Sequence, residues 1–142
     1  CKKQQMIRSS NIPYQSTRHS KHLLSYHFIW CPKYRRNILD DPAIIEMVRA
    51  SIIQNLESMG CTLIALEIMP DHVHLSLSAP PRFSPAYLAG KIKGTSGSAI
   101  AAAHPSFRKQ KIWSRSYFVA TTGTVSTETI RQYIESQWKR IK

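Results

Sequence analysis

Acidic residues are scarce in this chain: eight Asp and Glu stand against twenty Lys and Arg, a formal net charge of +12. So lopsided a balance in 142 residues points to a polyanionic partner, either nucleic acid or an anionic membrane surface. Cysteine is sparse as well. Cys1, Cys31 and Cys61 are odd in number, far apart and never in a Cys-x-x-Cys spacing, which argues against a disulfide framework and against a cysteine zinc site. Long apolar runs are missing. None approaches the roughly 18 residues that span a bilayer, and the first residues carry no apolar signal-like segment, so a cytoplasmic protein without a membrane partner is expected. A Gly-x-x-x-x-Gly-Lys-Ser/Thr phosphate loop is absent, and with it the expectation of a nucleotide cofactor. No internal repeat or low-complexity stretch interrupts the chain.

What remains is a composition that folds: 42% hydrophobic residues and 9% aromatic ones, enough for one domain with a single two-layer core. Residues 1–21 read as a basic arm, with Lys2, Lys3, Arg8, Arg18 and His19 among polar residues of little periodicity. From His22 to Cys31, Leu24, Tyr26, Phe28 and Trp30 alternate with Leu23, Ser25, His27 and Ile29, the pattern of a strand that Pro32 ends. After the basic turn Lys33-Tyr34-Arg35-Arg36, Asp41-Pro42 supplies an N-cap and a first-turn proline. Ile44, Ile45, Val48, Ile52, Leu56 and Met59 then recur at helical spacing up to Gly60.

Residues 61–69 read as a second strand, Pro70-Asp71 as a turn and residues 72–79 as a third strand. A second helix opens at Ser84-Pro85 and closes at His104-Pro105. A fourth strand is expected over residues 112–120, a joint over 121–125 and a last helix over 126–142, capped by Ser126. Over residues 22–120 the order strand, helix, strand, strand, helix, strand is that of a ferredoxin-like α+β fold: a four-stranded antiparallel sheet, helices on one face, first and third strands central.

On the third strand, His72 and His74 must project from one face, about 6 to 7 Å apart at Cα. That spacing suits two ligands on one metal ion, and it equally suits two surface histidines on a half-buried strand. Val73, Leu75, Leu77 and Ala79 form the opposite, apolar face, which leaves the histidine face exposed for chemistry. In the last helix Ile130, Ile134, Trp138 and Ile141 make the apolar stripe, and Tyr133 and Gln137 lie one turn apart along its border. Spacing alone gives these two no catalytic role.

The segment Met69-Pro70-Asp71-His72-Val73-His74-Leu75, the segment Trp30-Cys31-Pro32-Lys33-Tyr34-Arg35-Arg36, the segment Ser114-Arg115-Ser116-Tyr117-Phe118 and a terminal-helix Tyr followed four later by Gln occur together in this chain. In this the chain resembles the single-tyrosine His-hydrophobe-His transposases of the insertion-sequence 200/605 group. The resemblance implies that His72, His74 and Gln137 bind a divalent metal, Mg²⁺ or Mn²⁺. It implies that Tyr133 is the nucleophile that cuts and rejoins single-stranded DNA through a 5'-phosphotyrosine. It further implies recognition of hairpins near the element ends, a homodimer whose tyrosine helix can complete the partner's histidine site in trans, and a location on the nucleoid when bound to DNA. Asp71 and Glu67 are candidates for partners behind the histidines.

DNA backbone contacts are expected from Arg35, Arg36, Lys91, Lys93, Lys109, Lys111, Arg115 and the N-terminal arm. Tyr34, Tyr117 and Phe118 are candidates either for base stacking or for the core. Other readings stay open. A non-catalytic ferredoxin-like nucleic-acid-binding module would want an aromatic signature where His72-Val73-His74-Leu75-Ser76 stands. A metal-dependent hydrolase would use water and leave Tyr133 structural. A domesticated relative would process dispersed repeats.

Overall fold

The computed structural model describes residues 7–8, 15–16, 21–22, 24–35, 37–107, 111–121 and 126–139. Short strands β1 (Ile7–Arg8), β2 (Gln15–Ser16) and β3 (Lys21–His22) precede β4 (Ser25–Trp30). Then come α1 (Pro42–Ser58), β5 (Thr62–Met69), β6 (His72–Ser78), α2 (Pro85–Ala103), β7 (Phe118–Ala120) and α3 (Thr127–Lys139). One sheet runs in the order β1-β5-β6-β4-β7, antiparallel at every pairing, and β2 pairs separately with β3. Leaving β1 aside, this is the ferredoxin-like order, with β4 and β6 in the middle.

Alternation along the central strands decides what is buried. Tyr26, Phe28 and Trp30 of β4, Leu66 and Ile68 of β5, and Val73, Leu75 and Leu77 of β6 turn to one face. They meet Ile44, Val48, Ile52 and Leu56 of α1 and Leu88, Ile92 and Ile100 of α2 there. The caps behave as expected: the Asp41 carboxylate accepts from the Ala43 N–H at 2.9 Å, and Gly60 takes the left-handed φ of 70° that ends α1.

Three expectations change. The 1–21 stretch is more than an arm, because Ile7 and Arg8 pair with Leu66 and Ala65 and cover the β5 edge. The face opposite the helices is not bare: His72 and His27 are each 8% exposed, and Ile29, Ser76 and Ser78 are buried. Residues 112–120 do not form one strand. Trp113 makes an isolated bridge to Pro32, and only Phe118–Ala120 joins the ladder beside β4. Trp113 is pinned edge-on against Trp30, and its indole N–H donates to the Ser96 hydroxyl at 3.0 Å. Between bridge and strand, the carbonyls of Ser114, Arg115 and Ser116 all accept from the Lys93 ammonium, and this holds them out of the ladder.

Candidate active site

Strand β6 delivers His72 and His74 to the same face, as the two-residue period requires. His74 stands in register between Ile29 of β4 and Glu67 of β5. His72 Nδ1 lies 2.8 Å from the Asp71 carboxylate, and this hydrogen bond holds the Asp71 carboxyl below the usual carboxylate range. With Nδ1 engaged by a carboxylate, Nε2 is the nitrogen that could ligate a metal, an arrangement common behind metal-binding histidines. Asp71 thus stands where a partner behind the histidine is wanted.

His74 Nε2 lies 3.3 Å from Nδ1 of His27, a residue not singled out from the sequence. His27 pairs with Ser76, so it reaches His74 along the sheet diagonal. The signal was available in its place among the alternating positions of the first strand, once that strand is known to neighbour the third. Among the described residues no group of three or more His, Cys, Asp or Glu side chains is arranged to hold a metal. A metal on this face would take two imidazoles plus a donor of another kind, such as an amide or substrate oxygen, and the chemistry of the donors fits a divalent ion with open positions.

Helix α3 carries the candidate amide. Gln137 is buried, and its Oε1 accepts from the hydroxyls of Ser114 at 3.1 Å and Ser116 at 2.6 Å. The Ser116 hydroxyl also lies 3.1 Å from the Tyr133 phenol, and the Tyr133 ring packs against Phe118. Tyr133 and Gln137 are therefore brought together on one serine. The hydrogen bonds described for this pair run to residues 114–116, and those for the two histidines of β6 run to Asp71 and His27. Neither serine is given a role by the sequence, which reads residues 112–120 as a strand and carries no sign of the bonds these two hydroxyls make.

A cleft of about 470 Å³ opens beside Gln137, lined by Lys33, Tyr34, Arg115, Ser116 and Trp138. Tyr34 is 60% exposed, in a left-handed conformation (φ 59°) that non-glycine residues rarely adopt, with the Lys33 ammonium 5.0 Å from its ring centre. Tyr117 is half-buried and meets Phe28, so it belongs with the core. Lys91, Lys111 and Arg115 lie on the exposed surface. Lys93 does not: its three N–H donors go to backbone carbonyls, and burial pushes its pKa down to about 8. Arg36, Lys109, the Arg35 side chain and residues 122–125 of the joint lie outside the described residues. Cys31 and Cys61 are free thiols, and burial pushes them up to about 12 and about 11, which keeps them protonated and inert.

A family model described as "Transposase IS200 like" matches residues 20–137. The chain is 35% identical over 121 residues to the ISDra2 transposase TnpA of Deinococcus radiodurans, covering 80% of this chain and 84% of that protein. It is 30% identical over 135 residues to the transposase for insertion sequence element IS200 of Salmonella typhimurium, covering 90% and 86%. A solved structure of a protein assigned as a transposase from Deinococcus radiodurans R1 superposes with a TM-score of 0.68 at 35% identity, covering 87% of this chain and 97% of that one. A REP-associated tyrosine transposase bound to a REP hairpin shares the fold at a TM-score of 0.55 and 17% identity, covering 85% and 68%. On the match across residues 20–137 and on these relatives, the chain belongs to the IS200-like transposase family.

Proposed function

We propose that this transposase cuts and rejoins single-stranded DNA with Tyr133 as nucleophile and with His72, His74 and Gln137 as the ligands of a divalent metal, Mg²⁺ or Mn²⁺. The observation that carries the reading is the meeting of the Tyr133 phenol and the Gln137 amide on Ser116, in a chain of this family whose β6 presents two histidines on one face. When bound, the metal supplies positive charge to the non-bridging oxygens of the scissile phosphate. Asp71 orients His72, and His27 packs against His74.

The Tyr133 oxygen attacks phosphorus and loses its proton. The bond from phosphorus to the 3' oxygen breaks, and that oxygen leaves as a hydroxyl. The product is a 5'-phosphotyrosine, which stores the bond energy, so no nucleotide cofactor is needed. Rejoining is the reverse step: a 3' hydroxyl attacks the phosphotyrosine and the phenol leaves.

Hairpins near the element ends are the proposed substrates, in keeping with the net charge of +12 and with a fold shared with a REP-hairpin-bound transposase. Exposed Lys91, Lys111 and Arg115 would contact phosphates, and Tyr34 at the cleft mouth would stack on an unpaired base. The working unit is proposed to be a homodimer acting on DNA in the cytoplasm; among the described residues no helix is long and apolar enough to cross a membrane.

The test is incubation with end-labelled single-stranded DNA from the element's own locus and Mg²⁺ or Mn²⁺, resolved on a denaturing gel. A slow covalent species that disappears with Tyr133→Phe or with chelator is expected. Tight binding without an adduct would favour a binding module, and cleavage unaffected by Tyr133→Phe would favour a hydrolase.

A further inference from the structure

Lys93 lies on α2, remote in sequence from both groups of proposed site residues, and was read from the sequence only as a contact for DNA phosphates. The structure gives its ammonium other work. Nζ donates to the carbonyls of Ser114 at 2.7 Å, Arg115 at 3.3 Å and Ser116 at 3.2 Å, three consecutive peptide groups. An ammonium has three donors, and all three are engaged. Its half-buried stem places Nζ 5.7 Å from the centre of the Tyr117 ring. One cation therefore gathers the backbone between the Trp113 bridge and β7 into a fixed curl.

That curl sets where two hydroxyls point. Ser114 and Ser116 both reach Gln137 Oε1, and Ser116 also reaches the Tyr133 phenol. A serine hydroxyl carries a single proton. If Ser116 gives it to Gln137 Oε1 at 2.6 Å, the phenol must be the donor in the Tyr133 contact. The order is fixed: Tyr133 O–H to Ser116 Oγ–H to Gln137 Oε1. The amide oxygen has two lone pairs, and both accept from serines. A ligand role for Gln137 requires one of them, and the 3.1 Å bond from Ser114 is the one that gives way before the 2.6 Å bond from Ser116. Ser116 then remains behind Gln137 as an outer partner.

We infer that Lys93 is a positioning residue for DNA cleavage: by fixing the backbone of residues 114–116 it holds Ser116 in place, and Ser116 fixes the Tyr133 phenol and the Gln137 amide relative to each other. The inference rests on the roles given to Tyr133 and Gln137 above. It assigns Lys93 away from the DNA and makes Ser116, more than Ser114, the residue through which it acts.

The test compares Lys93→Met, Ser116→Ala, Ser114→Ala and the double variant Lys93→Met/Ser116→Ala with the unaltered protein. Three readouts are needed: the Gln137 side-chain amide resonances without DNA or metal, affinity for locus single-stranded DNA across a salt series, and single-turnover adduct formation at saturating DNA. Lys93→Met and Ser116→Ala should each move the Gln137 amide resonances, leave affinity and its salt slope unchanged, and slow adduct formation at least about tenfold, as loss of an outer partner does. Ser114→Ala should slow it less. The double variant should be no slower than the worse single one by more than about twofold, because both changes break one chain of contacts.

Weaker binding with a flatter salt slope and a normal single-turnover rate for Lys93→Met would make Lys93 a phosphate contact and overturn the inference. Multiplied losses in the double variant, or unmoved Gln137 resonances, would overturn it too. If Lys93→Met fails to fold by circular dichroism, Lys93→Arg decides: a bulkier planar cation cannot bond the three carbonyls alike, so a normal rate and unmoved resonances would sink the inference. If the unaltered protein forms no adduct at all, the proposed reaction fails, and the resonances still decide whether Lys93 governs the Gln137 contact.

Discussion

Helices α1 and α2 bury Ile44, Val48, Ile52, Leu56, Leu88, Ile92 and Ile100 in one cluster with the sheet, whereas α3 buries only Ile134 and Gln137. The outer side of α3 is a charge ladder in which Arg131 bonds both Glu128 and Glu135. The covering helices are held by apolar burial, which is non-directional and cooperative over many residues. The third buries one apolar side chain, Ile134, and adds directional bonds to Ser114 and Ser116, each of which can be exchanged for another partner of similar strength. A scaffold that must keep two histidines in register wants the first kind of attachment. If α3 presents the nucleophile to DNA, and then to a second DNA end, as proposed, it is better served by the second.

The largest expected effects fall on opposite sides of this divide. Tyr133→Phe removes one oxygen from a half-buried ring that still packs on Phe118, so adduct formation should vanish while the urea midpoint stays put. Leu75→Ala removes a fully buried side chain from the middle of β6 and should cost about 2–5 kcal/mol of global stability. If Tyr133→Phe lowers the midpoint as Leu75→Ala does, α3 belongs to the same cooperative unit as the sheet and the contrast is lost.

A helix with so small a buried face can serve a neighbouring chain as well as its own. Mixing Tyr133→Phe subunits with His72→Ala subunits should restore about a quarter to half of the cleavage of the unaltered protein if sites assemble in trans, since each mixed dimer then has one intact site. Gel assay of the mixed preparation against either parent reads this directly. Recovery no greater than the sum of the parents would mean that each α3 serves its own chain.

The same divide separates what the sequence reveals from what it hides. The span of α1 and the strands on either side of the Pro70-Asp71 turn follow from repeating apolar residues and from the Asp41-Pro42 and Gly60 boundary residues, because burial in a layered core imposes a period. The expected strand over 112–120 fails at residues 114–117. There an alternating pattern is overruled by one lysine twenty-odd positions away, whose choice of carbonyls leaves no trace in local periodicity. β1 is two residues long, too short to show a period. In the candidate site the pairing of His72 and His74 was legible from strand geometry. Tyr133 and Gln137 were proposed from the family likeness, and His27 and Ser116 matter only through neighbours that the fold supplies.

Lys93 links the two regions and should report on both through pH. Burial holds it at about 8, against 10.5 for an ordinary lysine. Between those values the unfolded chain keeps a proton that the folded chain has released. The contribution of this group to stability is therefore full above 10.5 and is lost as the pH falls through about 8. Lys93→Met carries no such cost, so its urea midpoint should exceed that of the unaltered protein at pH 7, and the gap should narrow as the pH rises from about 8 towards 10.5. A gap independent of pH would mean that the three carbonyls fully offset the burial of the charge.

The smallest effects give the finest comparison, because the same hydrogen bond occurs in both regions. At the start of α1 the Asp41 carboxylate accepts from the Ala43 N–H at 2.9 Å, and at the start of α3 the Ser126 hydroxyl accepts from the Thr129 N–H at 3.1 Å. Each bond satisfies one of the donors that a helix leaves open at its first turn, and loss of such a cap costs about 1 kcal/mol. In α1 that loss is shared by the whole core, so Asp41→Ala should lower the global urea midpoint. In α3 the loss stays local: Ser126→Ala should leave the midpoint unchanged and speed amide hydrogen exchange at Thr129 and the following turn. Equal shifts in midpoint from the two variants would show that α3 unfolds only with the sheet, and a helix so attached could not be exchanged between partners without unfolding the domain that presents the histidines.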